Sequence, residues 1–332
     1  MRILVDGKVL SKPPCGIKNA TLGILNELHQ INTIEISYFN IDVRSFPHEL
    51  YHNYQINFSS YADSETVVWA PTHRITRKFA RAIPIVLTVH DIVWKVLPSS
   101  MKLTTLMAEY VFFPRSIRRA NYIACVSKNT ERDLHKYFPS SKLKTSVVYL
   151  ASKKNSFKQV TKSKPFALFI GTFEPRKNLR SLMAAISKLS PSHLENMNFV
   201  IAGNKGWGNI NVERIRQKYK LEKFVKIIYS PSNEDIQQLF ADCSFLMFPS
   251  YYEGFGLPVI EALNAGKPVL VSNTSSLPEI AGLAGLYVDP HNEESIACAL
   301  RELIGNSDLY EKLREQARFQ ASQFTWQKAA VE

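Results

Sequence analysis

Short apolar runs rich in Val, Ile and Phe alternate along the chain with segments whose apolar residues recur every third or fourth position. Runs of the first kind suit strands covered on both faces and segments of the second kind suit helices with one buried side. The alternation therefore predicts βαβ units and parallel sheets rather than a sandwich. In the first half the expected strands are Arg2–Val5, Ile34–Phe39, Val67–Ala70, Ile85–Val89, Tyr122–Val126 and Thr145–Val148. In the second half they are Ala167–Ile170, Asn198–Ala202, Val225–Ile228, Phe245–Phe248, Pro268–Val271 and Leu286–Val288. Each half thus carries its own sheet. Between them Ala151–Pro165, ASKKNSFKQVTKSKP, is poor in apolar residues and suits a linker. The domain boundary falls there, with residues 1–155 on one side and a second domain starting at 156. The closing FTWQKAAVE reads as the start of one more helix.

A length of 332 residues with 45% hydrophobic content permits a substantial core in each domain and sets aside a disordered or fibrous chain. The net charge of +12 is unevenly spread: residues 1–164 hold 24 Lys and Arg against 11 Asp and Glu, whereas residues 165–332 hold 17 against 18. An N-terminal surplus of this kind favours anionic partners, among them phosphate esters and acidic lipid headgroups. No zinc-finger, RNP-like or helix-turn-helix pattern accompanies it, so nucleic acid is not an expected partner. Cys15, Cys125, Cys243 and Cys298 are far apart and form no metal-ligand spacing, so a reduced, cytoplasmic setting and no metal are expected. The chain opens directly on the strand-like RILVDG, so no cleaved leader is expected, and no apolar run is long enough to span a bilayer. Any membrane contact is expected to be peripheral, at an inner membrane face.

The most informative stretch is Phe248–Gly266, FPSYYEGFGLPVIEALNAG. It runs from an apolar strand through a loop, about Ser250 to Leu257, into a helix for which Pro258 suits the first position. Gly254 and Gly256 bracket the helix entrance, where the lack of a Cβ lets a ligand approach backbone N–H groups and the helix field favours phosphate or sugar oxygens. Glu253 precedes the entrance and Glu261 lies about one turn inside, so the two carboxylates stand at different levels and suit the hydroxyls of an elongated ligand. Glu261 also fits a plain structural part as an acid in a helix's first turns. A second stretch, GTFEPRKNLRSLMAAI, reads as strand, glycine turn and amphipathic helix, with Leu179, Leu182, Met183 and Ile186 on one face. Arg176 and Lys177 then sit at a strand's carboxyl end, the rim where open α/β sheets bind ligands, as a forked guanidinium and an ammonium suited to a diphosphate.

In combination these segments resemble retaining glycosyltransferases of the GT-B fold, the large group 1 (GT4) family that includes bacterial mannosyltransferases and sucrose synthase. Glu253 and Glu261 match its E-x(7)-E motif, flanked by GFGLP and EALNAG. The resemblance implies two Rossmann-like doubly wound domains facing each other across a cleft, an acceptor-side domain of 1–155 and a donor-binding domain of 156–317, with 318–332 packing back onto the first. Matching members continue past the final tryptophan segment, so the return is expected to be abbreviated. It implies that Glu253 contacts the transferred sugar and that Gly254, Phe255, Gly256 and Leu257 offer backbone amides. Glu261 would hold ribose hydroxyls, and Gly171, Thr172, Arg176 and Lys177 the donor phosphates. Some members carry Arg where Thr172 stands, which predicts a looser phosphate grip here.

Weaker matches complete the set. Gly16 in PPCGIKN resembles the family's glycine loop, and His90 in TVHDIVW its donor-sugar-facing histidine, with Asp91 supporting it. Ser127 in CVSKNT reads as a cap or an acceptor-side residue. The segment around Ser230 resembles a wall for the base, the IAGNKGWG segment ends another strand, and SSLPEI with Glu279 matches without an assignable chemistry. Leu103–Ala120 mixes aromatic and apolar residues with Arg115, Arg118 and Arg119 at one end, and suits either a core-facing helix or an element lying on an anionic bilayer. The implied activity is metal-independent hexosyl transfer with retention, GDP-mannose being favoured over UDP-sugars, to a hydroxyl of a glycan or lipid-linked acceptor. No cofactor is expected, and surface polysaccharide or glycolipid synthesis is the expected setting. The alternative is a non-catalytic binder of sugar nucleotides or anionic lipid with the same fold. A glycoside hydrolase, which could use two carboxylates, would have no diphosphate for Arg176 and Lys177 to bind.

Overall fold

The structure is a computed structural model that describes residues 1–12, 15–41, 47, 50, 57–58, 63, 65–75, 79–152 and 164–332. It divides into two compact units. The first comprises the described residues of Met1–Val96, Leu103–Ser152 and Thr325–Glu332. The second comprises Leu97–Lys102 and the described part of Lys153–Phe324. The boundary expected at 155/156 lies outside the described residues. Residues 318–324 stay with the second unit, and only Thr325–Glu332 join the first.

In the first unit the strands are β1 (Arg2–Asp6), β2 (Glu35–Phe39), β3 (Asn57–Phe58), β4 (Thr66–Ala70), β5 (Ile85–Val89), β6 (Tyr122–Cys125) and β7 (Thr145–Val147). They form a parallel sheet in the order β3-β2-β1-β4-β5-β6-β7. Helix α1 (Gly16–Leu28) follows β1, α2 (Leu103–Arg119) leads to β6, and α3 (Lys128–Tyr137) leaves it. The short β3 was not expected, because its flanks are polar and no apolar run marks it.

The second unit holds β8 (Phe166–Ile170), β9 (Asn198–Gly203), β10 (Val225–Tyr229), β11 (Phe245–Phe248), β12 (Val269–Ser272) and β13 (Gly285–Val288). Their order is β10-β9-β8-β11-β12-β13, again with every pair parallel. Helices α4 (Leu179–Ser187), α5 (Leu257–Asn264), α6 (Glu293–Gly305) and α7 (Ser307–Ser322) belong to this sheet, and α8 (Trp326–Val331) to the first unit. On α4 the four apolar residues picked out by spacing are all buried. Every residue of β8 and β11 is buried too, as expected for central strands sheeted over on both faces.

Both strand orders are doubly wound, and each has one place where the winding reverses: between β1 and β4, and between β8 and β11. Chain leaving neighbouring strands there turns to opposite faces and opens a crevice at the carboxyl ends. In each unit a glycine permits one close approach. A Cβ on Gly203, at the end of β9, would stand 1.8 Å from the Gly171 carbonyl oxygen. In the first unit, a Cβ on Gly23 of α1 would meet the Trp326 ring of α8 at 2.3 Å, so the small residue lets the last helix seat. Gly203→Ala is expected to lower stability by about 2–3 kcal/mol, or to prevent folding, because the obstacle is backbone and cannot swing aside; urea unfolding of the purified variant measures this.

Candidate active site

Because β8 and β11 are hydrogen-bonded neighbours, with Phe245 opposite Ala167 and Leu246 opposite Leu168, the loops that leave them start side by side. The first carries Glu174, Arg176 and Lys177, the second Glu253. Lys177 lies in a single 3-10 turn, Pro175–Lys177, closed by Asn178 in the left-handed conformation (φ 58°, ψ 32°) that Asn tolerates well. The Asn178 side-chain amide donates to the carbonyls of Pro249 at 3.0 Å and Pro290 at 2.7 Å, tying the loop after β8 to those after β11 and β13. The Tyr251 N–H donates to the Arg176 carbonyl at 2.9 Å, a further tie between the two loops.

These ties deliver the charges to one point. Arg176 donates from Nη1 to Glu253 Oε2 at 2.5 Å and to the Tyr252 carbonyl at 2.9 Å, and from Nη2 to Glu174 Oε1 at 2.6 Å. Lys177 Nζ donates to Glu253 Oε1 at 2.6 Å and lies 4.6 Å from the centre of the Phe248 ring. Lys177, Glu253 and Glu174 are 7%, 5% and 2% exposed, so all three ions have been taken almost wholly out of water. Burial opposes ionisation of Glu253, yet the Arg176 and Lys177 charges outweigh it and hold its pKa below the ordinary carboxylate value. For Lys177, burial and then the Arg176 charge lower the pKa against the pull of Glu253 and Glu174. Burial raises Glu174 more than the two cations lower it. The result is two cations and two acids in one buried network, an arrangement that is costly to break at any member.

The loop carrying Glu253 is braced from the next strand. The Glu253 N–H donates to Ser275 Oγ at 3.1 Å, and Ser276 Oγ donates to the carbonyls of Glu253 at 3.1 Å and Phe255 at 2.9 Å. Helix α5 begins at Leu257, so Pro258 is its second residue rather than its first. Gly256 caps it with φ 102°, a conformation open to glycine, and a Cβ there would come within 2.9 Å of Leu277. Gly254, Phe255 and Gly256 are buried, and the Phe255 ring packs edge-on against Phe324 at 5.9 Å, so this side chain serves packing. Glu261, in the second turn of α5, makes no ion pair or side-chain hydrogen bond with a described residue. The residue is half-buried, and the desolvation of its carboxyl by surrounding protein pushes its pKa up to about 7.

Other candidates fall elsewhere. Gly171 stands beside the Lys177 stem, 3.6 Å from Cε for a Cβ placed on it. Thr172 lies against Gly206, on which a Cβ would come within 2.7 Å of the Thr172 methyl. Ser230 follows the edge strand β10, two strands from β8, in an exposed left-handed turn whose N–H donates to the Gly203 carbonyl; it does not join the Glu253 network. Gly16 and His90 belong to the first unit. Gly16 is the exposed first residue of α1, without the positive φ that marks other glycines. His90, directly after β5, donates from Nε2 to the Pro71 carbonyl at 2.9 Å, which sets its tautomer, and burial lowers its pKa. Asp91 accepts from the Val93 N–H at 3.2 Å and caps a short helix, and Ser127 accepts from the Thr130 N–H at 3.0 Å and caps α3. Arg119 donates to the carbonyls of Ala80 and Ile83 and is structural, unlike the exposed Arg115 and Arg118.

Glu174 and Asn178, inside GTFEPRKN, and Ser275 and Ser276, which open SSLPEI, were given no role from the sequence. Glu174 had a usable signal, an acid two residues before a guanidinium in a strand-end loop. The others act through backbone geometry that no local pattern advertises.

Comparison with known proteins agrees with this architecture. Residues 152–320 match the family described as Glycosyl transferases group 1. The O-antigen chain mannosyltransferase B of Escherichia coli is 33% identical over 167 residues, covering 50% of this chain and 44% of that protein. The O-antigen chain mannosyltransferase RfbU of Salmonella typhimurium is 26% identical over 221 residues, covering 65% of this chain and 60% of that one. The chain therefore spans less than two thirds of the length of these relatives. Among solved structures, Anabaena HepE in complex with UDP and glucose superposes with a TM-score of 0.74 at 18% identity, covering 99% of this chain and 97% of that one. Such likeness gives the fold, two doubly wound α/β units of the GT-B class. With the family match covering half of its residues, the chain belongs to the group 1 glycosyltransferases.

Proposed function

We propose that this protein is a retaining, metal-independent hexosyltransferase that moves mannose from GDP-mannose to a hydroxyl of a glycan or lipid-linked acceptor. The setting we propose is surface polysaccharide or glycolipid synthesis on the cytoplasmic side of a membrane. The observation that carries this reading is the convergence of Arg176 and Lys177 on Glu253 at the β8/β11 reversal. Two cations held in a nearly dry crevice are oriented before any ligand arrives, so little reorganisation is needed when negative charge builds on a departing diphosphate. In the proposed step the bond from the anomeric carbon to the donor's β-phosphate oxygen breaks. The acceptor oxygen bonds to that carbon on the same face and passes its proton to the leaving phosphate oxygen. Glu253, kept ionised, accepts hydroxyls of the transferred sugar, and Glu261 accepts those of the ribose. His90, whose ring the Pro71 carbonyl fixes and whose pKa burial lowers, is the residue we propose for contact with the donor sugar. The mannosyltransferase names of the bacterial relatives support the choice of sugar, and with it of GDP.

Lys177→Ala is expected to reduce kcat with GDP-mannose by about a hundredfold or more. Glu253→Gln is expected to do the same while far-UV circular dichroism stays native. Turnover within a few-fold of the parent in both variants would remove the mechanism, and donor binding without any transfer would point instead to a non-catalytic binder. A second expectation concerns Glu261. Since its pKa is raised to about 7, the carboxylate is largely protonated below that pH and ionised above it, and only the ionised form accepts from both ribose hydroxyls. Donor affinity should therefore strengthen as pH rises through about 7, and Glu261→Gln should flatten the profile; titration calorimetry from pH 5.5 to 8.5 gives the answer.

A further inference from the structure

We propose that helix α2, Leu103–Arg119, is a docking face for an anionic phospholipid bilayer. Its sequence could have placed its apolar residues in the core, but the structure leaves most of the larger ones outside. The buried side holds only Glu109, Phe113, Ser116 and Ile117. Leu103, Met107, Tyr110, Val111 and Phe112 are exposed by 70%, 63%, 50%, 46% and 50%. Leu103, Met107, Tyr110 and Val111 recur at helical spacing, so they form one outward stripe rather than scattered exceptions. Large apolar side chains clustered on a surface helix mark an interaction site.

The charges around the stripe select its occupant. Arg115 and Arg118 continue the same face toward the helix C-terminus, and Lys102 precedes its first residue; all three are exposed. Lys95 lies 4.4 Å from the centre of the Tyr110 ring, at the stripe's flank. Glu109, the helix's acidic residue, points inward, with His73 Nε2 at 3.0 Å and an ion pair to Arg74. The outward face therefore combines apolar and aromatic side chains with cations and carries no carboxylate of its own. Long basic side chains can reach phosphates while neighbouring apolar ones enter the acyl boundary, which is the chemistry of an interfacial helix at an acidic membrane. No helix among the described residues is long and apolar enough to cross a membrane, so the contact is one of lying on the surface.

Co-sedimentation with vesicles of phosphatidylcholine, alone or mixed with phosphatidylglycerol, tests the proposal. The protein should partition onto the mixed vesicles far more strongly than onto phosphatidylcholine alone, and lose that advantage at high salt. Arg115→Gln with Arg118→Gln should weaken binding to the mixed vesicles roughly thirtyfold, the change for two cations near the surface. Met107→Ser with Val111→Ser should weaken it about tenfold or more, and Leu103→Ser alone serves if that pair fails to fold. GDP-mannose binding, measured without vesicles, should be unchanged in all of these, so that failure of the docking surface and failure of the donor reading are told apart. Equal partition onto both vesicle types, binding by the folded variants that matches the parent, or a dimer in ultracentrifugation that the Met107→Ser, Val111→Ser pair disperses without loss of vesicle binding would each overturn the inference.

Discussion

A carboxylate that is 5% exposed cannot remain ionised in a protein interior unless charge of opposite sign is brought to it, and much of the second unit is arranged around meeting that demand for Glu253. The strand order supplies the means. Only at the β8/β11 reversal do two neighbouring strands release their chains to opposite faces, so a cation-bearing loop and an acid-bearing loop can begin together and close on one another. The left-handed Asn178, the Tyr251 amide, and the two serines behind Glu253 then fix the spacing at which hydrogen bonds of about 2.5–2.6 Å form. Without this spacing each buried ion would cost several kcal/mol, on the order of what an ordinary domain has to spare.

The same arithmetic explains why a second acid is present. Arg176 alone could neutralise Glu253, but a guanidinium with one carboxylate and one carbonyl would still be free to swing. Glu174 takes two of its N–H groups on the other side, at 3.0 and 2.6 Å, and locks the plane. Lys177 is left as a point charge with a single carboxylate partner, a neighbouring cation and an aromatic face. Under the proposed function this asymmetry assigns different work to the two residues. Arg176 is framework, already committed on three sides, whereas Lys177 is the group whose balance an arriving diphosphate would change most.

The sequence announces this site unevenly. All twelve apolar runs are strands, with ends displaced by at most one residue, because strands covered on both faces must be apolar throughout and turn residues delimit them. Arg176, Lys177 and Glu253 were legible as a group once placed at strand ends, since chemistry concentrates on that rim. Their mutual pairing was not, because it depends on which strands are neighbours, and the order β10-β9-β8-β11 is written in no local pattern. Glu174 was within reach of a local reading, two residues before Arg176, and was missed because it becomes important only through that guanidinium. Helix α2 shows the opposite failure. Its composition fits a core helix as well as a surface one, and only the placement of Glu109, drawn inward by His73 and Arg74, shows which side faces water.

Those two ion clusters also differ in how the charge around them is disposed. In the second half the cations and acids are nearly equal in number, and four of them, Arg176, Lys177, Glu174 and Glu253, are turned inward, two against two. In the first half one buried acid, Glu109, holds Arg74 and His73, while Lys102, Arg115 and Arg118 stand at the surface of the same helix region. A surplus kept outside contributes little to folding, since exposed charges are well solvated, and it raises self-repulsion. Its value lies in the field it projects within a Debye length of the surface, where a negatively charged partner responds to it. The Arg176, Lys177, Glu174 and Glu253 charges are therefore internal and paired, whereas Lys102, Arg115 and Arg118 are external and open to an anionic surface.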